Sequence, residues 1–253
     1  MSFQHNTGPF ESKVSCIIPT FNEAPRILAV LDIVRRHPQI NEVIVVDDGS
    51  TDGTASIVAS VAGVRLFRMP RNGGKTKALA KGFEMATGSH ILLVDADLIG
   101  LNGDDLTALI NPVLTGTTDI SISLRRNAPR LWHWVGIDYI SGERCMKASL
   151  VSPYLGELES LPKFGFEVWL NDLCIMQSAR ISVVLWDGVV SPSKVSKMGR
   201  LKGVLADFGM IGDLFRKETP WQLVKQIWKM EKLKTDRALC QHIMTAQLLR
   251  ELV

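Results

Sequence analysis

The sequence is poor in the residues that mark secreted, zinc-binding or membrane-spanning proteins. Its four cysteines and five histidines are dispersed and include no CxxC pair. Cys16 and Cys174 lie in apolar runs, so we expect them to be small buried residues in a reducing compartment. The first residues lack the apolar core of a secretory signal, and no apolar stretch reaches the ~20 residues of a bilayer span. These absences predict a cytoplasmic protein, at most peripheral on the cytoplasmic membrane face.

The net charge of the chain is also small. The formal charge is +3, and 46% of the 253 residues are hydrophobic, an ordinary globular composition that fits one large domain or one domain with an appendage. So small a charge, without a recognisable motif, does not support a nucleic-acid partner. The stretch RNGGKTKALAKG lacks the GxxxxGK[ST] spacing of a P-loop, which argues against an ATPase.

Short apolar runs alternate with helical patterns in the first half of the chain. VSCIIPT, NEVIVVDDGS, VRLFRMP and HILLVDADL are predicted strands, separated by helical segments. This alternation predicts an α/β fold with a doubly wound, mostly parallel sheet flanked by helices. Beyond about residue 111 the pattern loosens, although TDISISL and ISVVLWDGVV still predict strands and FGFEVWLNDLCIMQSA a helix.

Polar side chains follow three of these strands. Glu23 follows the first strand, Asp48 the second, and Asp95 and Asp97 the fourth. Ligands of open α/β sheets bind beyond the carboxyl ends of the strands, so these acids are predicted to share one site. Two carboxylates one residue apart suit Mg²⁺ or Mn²⁺, which complete their shells with water and phosphate oxygens. For Asp48, a helix N-cap is the alternative.

A glycine-lysine turn precedes the second strong helical pattern. Gly73 and Gly74 come just before Lys75, near the start of that helix. Exposed N–H groups at a helix start attract anions, which fits a phosphate ligand. The alternative is a glycine turn followed by a solvated lysine.

Four stretches together resemble one enzyme family. IIPTFNE, VIVVDDGSTDGT, RNGGKTKALAKGFEMATG and LLVDADL occur in order within residues 13–126 and are similar to family-2 glycosyltransferases of the GT-A fold. Within that family the similarity is greatest to polyprenyl- and dolichyl-phosphate sugar synthases, and SKMG at 196–199 resembles their basic motif after the last core strand. The resemblance implies metal-dependent, inverting transfer from a UDP- or GDP-sugar, with a polyprenyl phosphate as the favoured acceptor.

The resemblance also implies roles for particular residues. Asp95 and Asp97 would hold Mg²⁺ or Mn²⁺, while Arg125 and Lys197 would meet the phosphate charge that grows as the diphosphate leaves. The catalytic candidates are Asp97, Arg125, Lys197 and Glu167. The nucleotide-sugar contacts would come from Pro19, Phe21, Glu23, Val46, Asp48, Lys75, Asp95, Ala96 and Asp97.

The acceptor decides whether a general base is needed. A phosphate acceptor is already a nucleophile, whereas a hydroxyl acceptor needs an acid residue to take its proton. Glu167 is preferred over Glu143 because its sequence neighbours are apolar, and its alternative is an exposed position on an amphipathic helix. A nucleotidyltransferase is disfavoured because IIPTFNE lacks a glycine-rich first loop, and a non-catalytic sugar-nucleotide binder would not need the acid pair.

The domain prediction has three parts. Residues 1–12 are predicted to be a flexible N-terminus, 13–190 the catalytic domain and 191–253 a basic amphipathic helical tail. Within the catalytic domain, 13–126 would bind the nucleotide sugar and 127–190 the acceptor.

The predicted tail combines lysines with large apolar side chains. Trp221, Ile227 and Trp228 are expected to share an apolar face. Such a helix would lie in an anionic membrane interface; the alternatives are packing on its own domain or an oligomer contact.

Overall fold

The computed structural model describes residues 13–128, 130–162, 165–192 and 220–235, except for the side chains of 130, 131 and 220–224. The predictions for residues 1–12, for most of the tail and for Lys197 lie outside these residues. The strands are β1 (Val14–Thr20), β2 (Glu42–Asp47), β3 (Val64–Arg68), β4 (His90–Leu93), β5 (Ile120–Arg125), β6 (Arg144–Lys147) and β7 (Ile181–Trp186). The helices are α1 (Ile27–Val34), α2 (Thr54–Ala59), α3 (Lys75–Met85), α4 (Gly103–Leu114), α5 (Arg130–Val135), α6 (Phe166–Met176) and α7 (Pro220–Lys232).

The seven strands form one sheet in the order β3-β2-β1-β4-β6-β5-β7. Strand β6 is antiparallel to both β4 and β5, and every other pair of neighbours is parallel. The predicted α/β fold with a mostly parallel sheet is therefore confirmed. Strands from both predicted halves of the catalytic domain belong to this sheet, because β6 lies between β4 and β5.

Helices cover both faces of the sheet, and alternate residues of each strand face opposite cores. In β1, Ile18 packs in a cluster with α1 and α4, while Ile17 packs in a second cluster with α3 and α6. Cys16, Cys145 and Cys174 are buried free thiols, which confirms the prediction for Cys16 and Cys174. Two buried faces explain why the parallel strands read as continuous apolar runs in the sequence.

Helix α4 was not predicted from the sequence. A capping box begins it: Asn102 Oδ1 accepts hydrogen bonds from the backbone N–H of Asp104 at 2.9 Å and of Asp105 at 3.1 Å, and Asp105 Oδ2 accepts one from the Asn102 N–H at 3.0 Å. The spacing Asn102-x-x-Asp105 was the sequence signal, whereas Pro112 inside the helix obscured the pattern.

Helix α7 packs on its own domain. Met230 is fully buried and Ile227 packs against the same core cluster, whereas Trp228 is 56% exposed. Ile227 and Trp228 therefore do not form the single apolar face expected of them, because Ile227 faces the core and Trp228 faces outward. None of the helices in the described part of the chain is long and apolar enough to span a bilayer.

Candidate active site

The acids that follow β2 and β4 lie on either side of the end of β1, as the sheet order requires. The backbone N–H of Asp48 donates to Thr20 O at 2.8 Å, and that of Val94 donates to Ile17 O at 3.2 Å. These bonds continue the pairing of β1 with its two neighbours up to the carboxyl edge. The edge therefore brings together the polar segments that the sequence predicted to be close.

Both carboxylate oxygens of Asp48 accept hydrogen bonds from the glycine loop. Its Oδ1 accepts the N–H of Gly73 at 2.7 Å, and its Oδ2 accepts the N–H of Gly74 at 2.8 Å. Gly74 has a φ of 95°, a conformation that glycine adopts without the steric cost of a side chain. Asp48 thus fixes the loop that leads into α3 and so fixes the position of Lys75, rather than capping α2.

Lys75 joins two carboxylates from different elements. Its Nζ lies 2.8 Å from Asp95 Oδ1 and 3.1 Å from Glu167 Oε1, at the start of α6. Burial would lower the pKa of Lys75, but the charges of Asp95 and Glu167 raise it. A Cβ atom at Gly142 would lie 2.6 Å from both Asp95 Oδ2 and Lys75 Nζ, so the Gly142 backbone touches this pair.

Arg125 is the second cation of the site. Its guanidinium lies 3.3 Å from Glu143 Oε1 and 3.6 Å from Asp138 Oδ2. Although burial opposes it, the charges of Glu143 and Asp138, followed by those of Asp95 and Asp97, raise the pKa of Arg125. Arg125 therefore stands in the electrostatic field of the acid pair after β4, as a phosphate-binding arginine would.

Glu143 is a poor candidate for a general base. It is fully buried, and its Oε2 accepts hydrogen bonds from Ser123 and Ser141, each at 2.9 Å. Burial raises the pKa of Glu143, and the Arg125 charge opposes that rise. Glu167 is 9% exposed and lies beside Lys75, so it does not occupy the exposed position expected as its alternative, and its role as a base stays a prediction.

The acid pair can be tested for its fit to a divalent cation. Asp95 and Asp97 are both half-buried, and Asp97 Oδ2 accepts a hydrogen bond from Ser191 Oγ at 3.2 Å. The described residues contain no cluster of three or more His, Cys, Asp and Glu side chains placed to hold a metal. Mg²⁺ commonly takes only one or two carboxylates and otherwise binds water and substrate phosphate, so this donor pair fits such an ion.

The remaining predicted nucleotide contacts differ in exposure. Phe21 is 43% exposed just beyond β1, Pro19 is half-buried, and Glu23 is 9% exposed and paired with a neighbouring arginine. Val46 has no exposed surface because it packs with Ile44 and Ala78, and Ala96 is 4% exposed. The side chain of Val46 is therefore part of the core rather than of a surface that a nucleotide would touch.

Three residues of the site carry no local sequence signal. Gly142 lies just before the antiparallel strand β6, Asp138 lies in the segment between α5 and β6, and Ser191 lies after β7. Each contacts an acid or a cation that is far away in the chain. Only the insertion of β6 beside β4 and the pairing of β7 with β5 bring them to this edge.

Known proteins resemble this fold and these motifs. A dolichyl-phosphate beta-glucosyltransferase of Trichomonas vaginalis is 39% identical over 103 residues, which cover 36% of this chain and 31% of that protein. An undecaprenyl-phosphate 4-deoxy-4-formamido-L-arabinose transferase of Aeromonas hydrophila is 34% identical over 128 residues, covering 47% of this chain and 39% of that protein. The matched segments thus span less than half the length of these two relatives.

A solved structure shares the architecture. Glucosyl-3-phosphoglycerate synthase from Mycobacterium tuberculosis, in complex with Mn²⁺, UDP and glucosyl-3-phosphoglycerate, superimposes with a TM-score of 0.63 at 24% identity, covering 81% of this chain and 79% of that one. This likeness confirms the predicted GT-A fold. The model of the family described as glycosyl transferase family 2 matches residues 15–141, half of the sequence and all of the motifs at the carboxyl edge of β1, β2 and β4. By this match the chain belongs to glycosyl transferase family 2.

Proposed function

We propose that this chain transfers a sugar from a UDP- or GDP-sugar to a polyprenyl phosphate, with inversion at the anomeric carbon. The observation that carries the proposal is the acid pair Asp95 and Asp97, set beside the cations Lys75 and Arg125. An acid pair alone would repel a diphosphate, whereas acids that hold a metal next to fixed cations would bind one. A lipid-linked acceptor would place the reaction at the cytoplasmic membrane face.

The names of the relatives support the acceptor. One is named for a dolichyl phosphate and the other for an undecaprenyl phosphate, and both are lipid phosphates. A phosphate acceptor is ionised at neutral pH and needs no residue to remove a proton. The work left to the protein is then to hold the donor diphosphate and to stabilise the charge on it as it leaves.

In this proposal Asp95 and Asp97 hold Mg²⁺ or Mn²⁺. When bound, the ion would supply positive charge to the departing diphosphate. Arg125 adds a fixed charge, oriented by Glu143 and Asp138, and Lys197 is the further cation implied by the family resemblance.

The donor nucleoside would lie over the end of β1. Phe21 offers an exposed ring for contact with the base, and Glu23 lies two residues further on. Asp48 would act indirectly, since both of its oxygens hold the Gly73–Gly74 loop. That loop sets the position of Lys75 against Asp95.

One observation favours a second candidate, transfer to a hydroxyl acceptor. Glu167 contacts Lys75 at 3.1 Å, next to the acid pair, and keeps 9% of its surface exposed. In that case Glu167 would take the proton of the attacking hydroxyl, a contribution worth about 10²–10⁴-fold in rate. With a phosphate acceptor, Glu167 would serve only as an ionic partner of Lys75.

The test measures nucleoside diphosphate release by the purified protein with Mn²⁺ across UDP- and GDP-sugars. Each donor is assayed with a short-chain polyprenyl phosphate, with 3-phosphoglycerate as a hydroxyl acceptor, and with neither. Asp97→Asn keeps the size of the side chain but removes its charge, and we expect a loss beyond about 100-fold. Asp32→Asn is the matched control, because Asp32 is an exposed acid of α1 that pairs only locally with Arg35 and Arg36.

Glu167→Gln separates the two acceptors. Turnover that requires the lipid phosphate and survives Glu167→Gln supports the leading proposal, and the anomeric configuration of its product tests inversion. Turnover that requires a hydroxyl acceptor and is lost in Glu167→Gln supports the second. If no donor is turned over or bound, or if Asp97→Asn behaves like Asp32→Asn, both are wrong.

A further inference from the structure

The contacts of α7 define an inner and an outer face. Gln226 and Met230 are buried, and Gln226 Nε2 donates to Val168 O at 3.3 Å and to Asp172 on α6. The exposed residues are spaced by three and four positions and therefore follow one side of the helix. They are Lys225, Trp228, Lys229 and Lys232.

We infer that this outer face binds an anionic lipid surface. Trp228 is 56% exposed, and Lys232 Nζ lies 3.3 Å from the centroid of its indole ring. An indole has an apolar body and one polar N–H, so it favours the headgroup level of a membrane. Lysines around it are attracted to anionic headgroups and can keep their ammonium groups in water.

The charged residues of α7 and of the segment just after it are mostly lysines. Residues 220–235 contain four lysines and a single acid, Glu231, which is partly buried. The fourth lysine, Lys234, is 7% exposed and is used internally. The exposed lysines of α7 therefore outnumber its one partly buried acid, and a face with this excess of positive charge around an indole is complementary to an anionic bilayer.

A second exposed tryptophan lies on a helix that is tied to α7. Trp134 of α5 is 72% exposed. Lys234 Nζ donates to Val135 O at 3.2 Å and to Gly136 O at 3.3 Å, which joins the end of α5 to the segment after α7. Each of the two joined helices thus presents one exposed indole.

The outer face of α7 belongs to a helix that is connected to the active site through α6. Gln226 contacts Val168 and Asp172, and the first turn of the same helix carries Glu167 beside Lys75. A bilayer bound at α7 would therefore hold the site at a fixed position relative to the headgroups. The benefit to turnover rests on the proposed lipid-phosphate acceptor, but the lipid binding itself does not depend on it.

Vesicle sedimentation tests the inference without any nucleotide sugar. The purified chain is mixed with phosphatidylcholine vesicles, with or without phosphatidylglycerol, at low and at high salt. We expect binding that requires phosphatidylglycerol and weakens with salt. Each lysine near an anionic surface contributes about fivefold to partitioning, so Lys229→Gln with Lys232→Gln should weaken binding by about 30-fold. Trp228→Ser should also reduce binding, and it should reduce the quenching of tryptophan fluorescence by brominated lipids.

Two control variants change the same properties elsewhere. Arg36→Gln removes a cation that is 68% exposed just after α1, and Leu28→Ser removes an apolar side chain that is 47% exposed on α1. Both should bind vesicles like the unmodified protein. Circular dichroism and thermal unfolding confirm that each variant is folded, as expected for exposed positions.

The outcomes separate this inference from the proposed function. If the lysine pair variant binds as well as the unmodified chain, or if Arg36→Gln loses as much, the inference is wrong. The same holds if no vesicle binds, which would leave a protein partner for this face. Turnover of a short-chain polyprenyl phosphate in solution is measured on the same samples. Intact vesicle binding without turnover would overturn the proposed function alone.

Discussion

Gly142→Ala would disturb the Lys75–Asp95 pair without changing any charge. The added Cβ would lie 2.6 Å from Asp95 Oδ2 and from Lys75 Nζ, so the pair must move by about 1 Å to restore ordinary contact distances. Gly142 does not have a positive φ, so the backbone itself accepts alanine. A displacement of this size at a reacting centre costs about 100-fold in rate, or about 2.7 kcal/mol of transition-state stabilisation.

The assay is kcat/KM for nucleoside diphosphate release, with unfolding in urea measured in parallel. Because Lys75 and Asp95 are each 24% exposed, they can shift towards solvent, and we expect a stability loss of only about 1 kcal/mol. Gly156→Ala is the matched control, since a Cβ there meets nothing within 4 Å. If Gly142→Ala keeps the kcat/KM of Gly156→Ala, the Lys75–Asp95 geometry is not needed for the reaction and the reasoning fails.

Three further predictions concern stability and reactivity. Although burial opposes it, hydrogen bonds from neighbouring side chains and backbone lower the pKa of Glu42 from 4.5 to about 2, so its stabilising contribution is complete above pH 4.5 and is lost as the pH falls towards 2. Urea unfolding across that range should be less pH-dependent in Glu42→Gln; an unchanged pH dependence would contradict this. Arg144 is fully buried and donates to Ser141 O at 2.9 Å, Asn171 Oδ1 at 2.7 Å and Tyr139 O at 3.0 Å. Arg144→Met should cost about 2–5 kcal/mol because it leaves buried acceptors without donors, and a urea midpoint equal to that of the unmodified protein would refute it. Burial raises the pKa of Cys145 and Cys174 to about 12, and Cys16 is buried with them, so a thiol reagent should label at most one of the four cysteines before denaturation. Rapid labelling of two or more native thiols would contradict the buried positions.

The sequence was sufficient for those parts of the fold whose signals are local. Continuous apolar runs between helical patterns predicted β1, β2 and β4, because parallel strands buried on both faces favour apolar side chains at most positions. The edge strand β3 was also predicted, although both of its arginines are exposed. The acids after β2 and β4 could be assigned to one edge because the carboxyl ends of parallel strands lie at the same edge of a sheet. The predicted first strand ended at Pro19, one residue before the observed end of β1 at Thr20.

The sequence interpretation missed contacts where one residue type can make several. Both oxygens of Asp48 hold the Gly73–Gly74 loop, which the sequence did not predict, and its contact with the nucleotide stays a prediction. Ile227 and Trp228 were expected to share an apolar face, but only Ile227 faces the core. The sequence alone cannot predict these contacts, because they depend on which residues become neighbours of each side chain in the folded structure.

The sequence by itself determined the alternation of strands and helices, the family and the acid pair at the end of β4, since each is encoded within a few consecutive residues. Tertiary structure alone decided what surrounds that pair. The antiparallel entry of β6 between β4 and β5 brings Gly142 and Glu143 to the site, and α6 brings Glu167 to Lys75. Contacts between segments so far apart in the chain depend on sheet order and helix packing, which no local pattern of residues specifies.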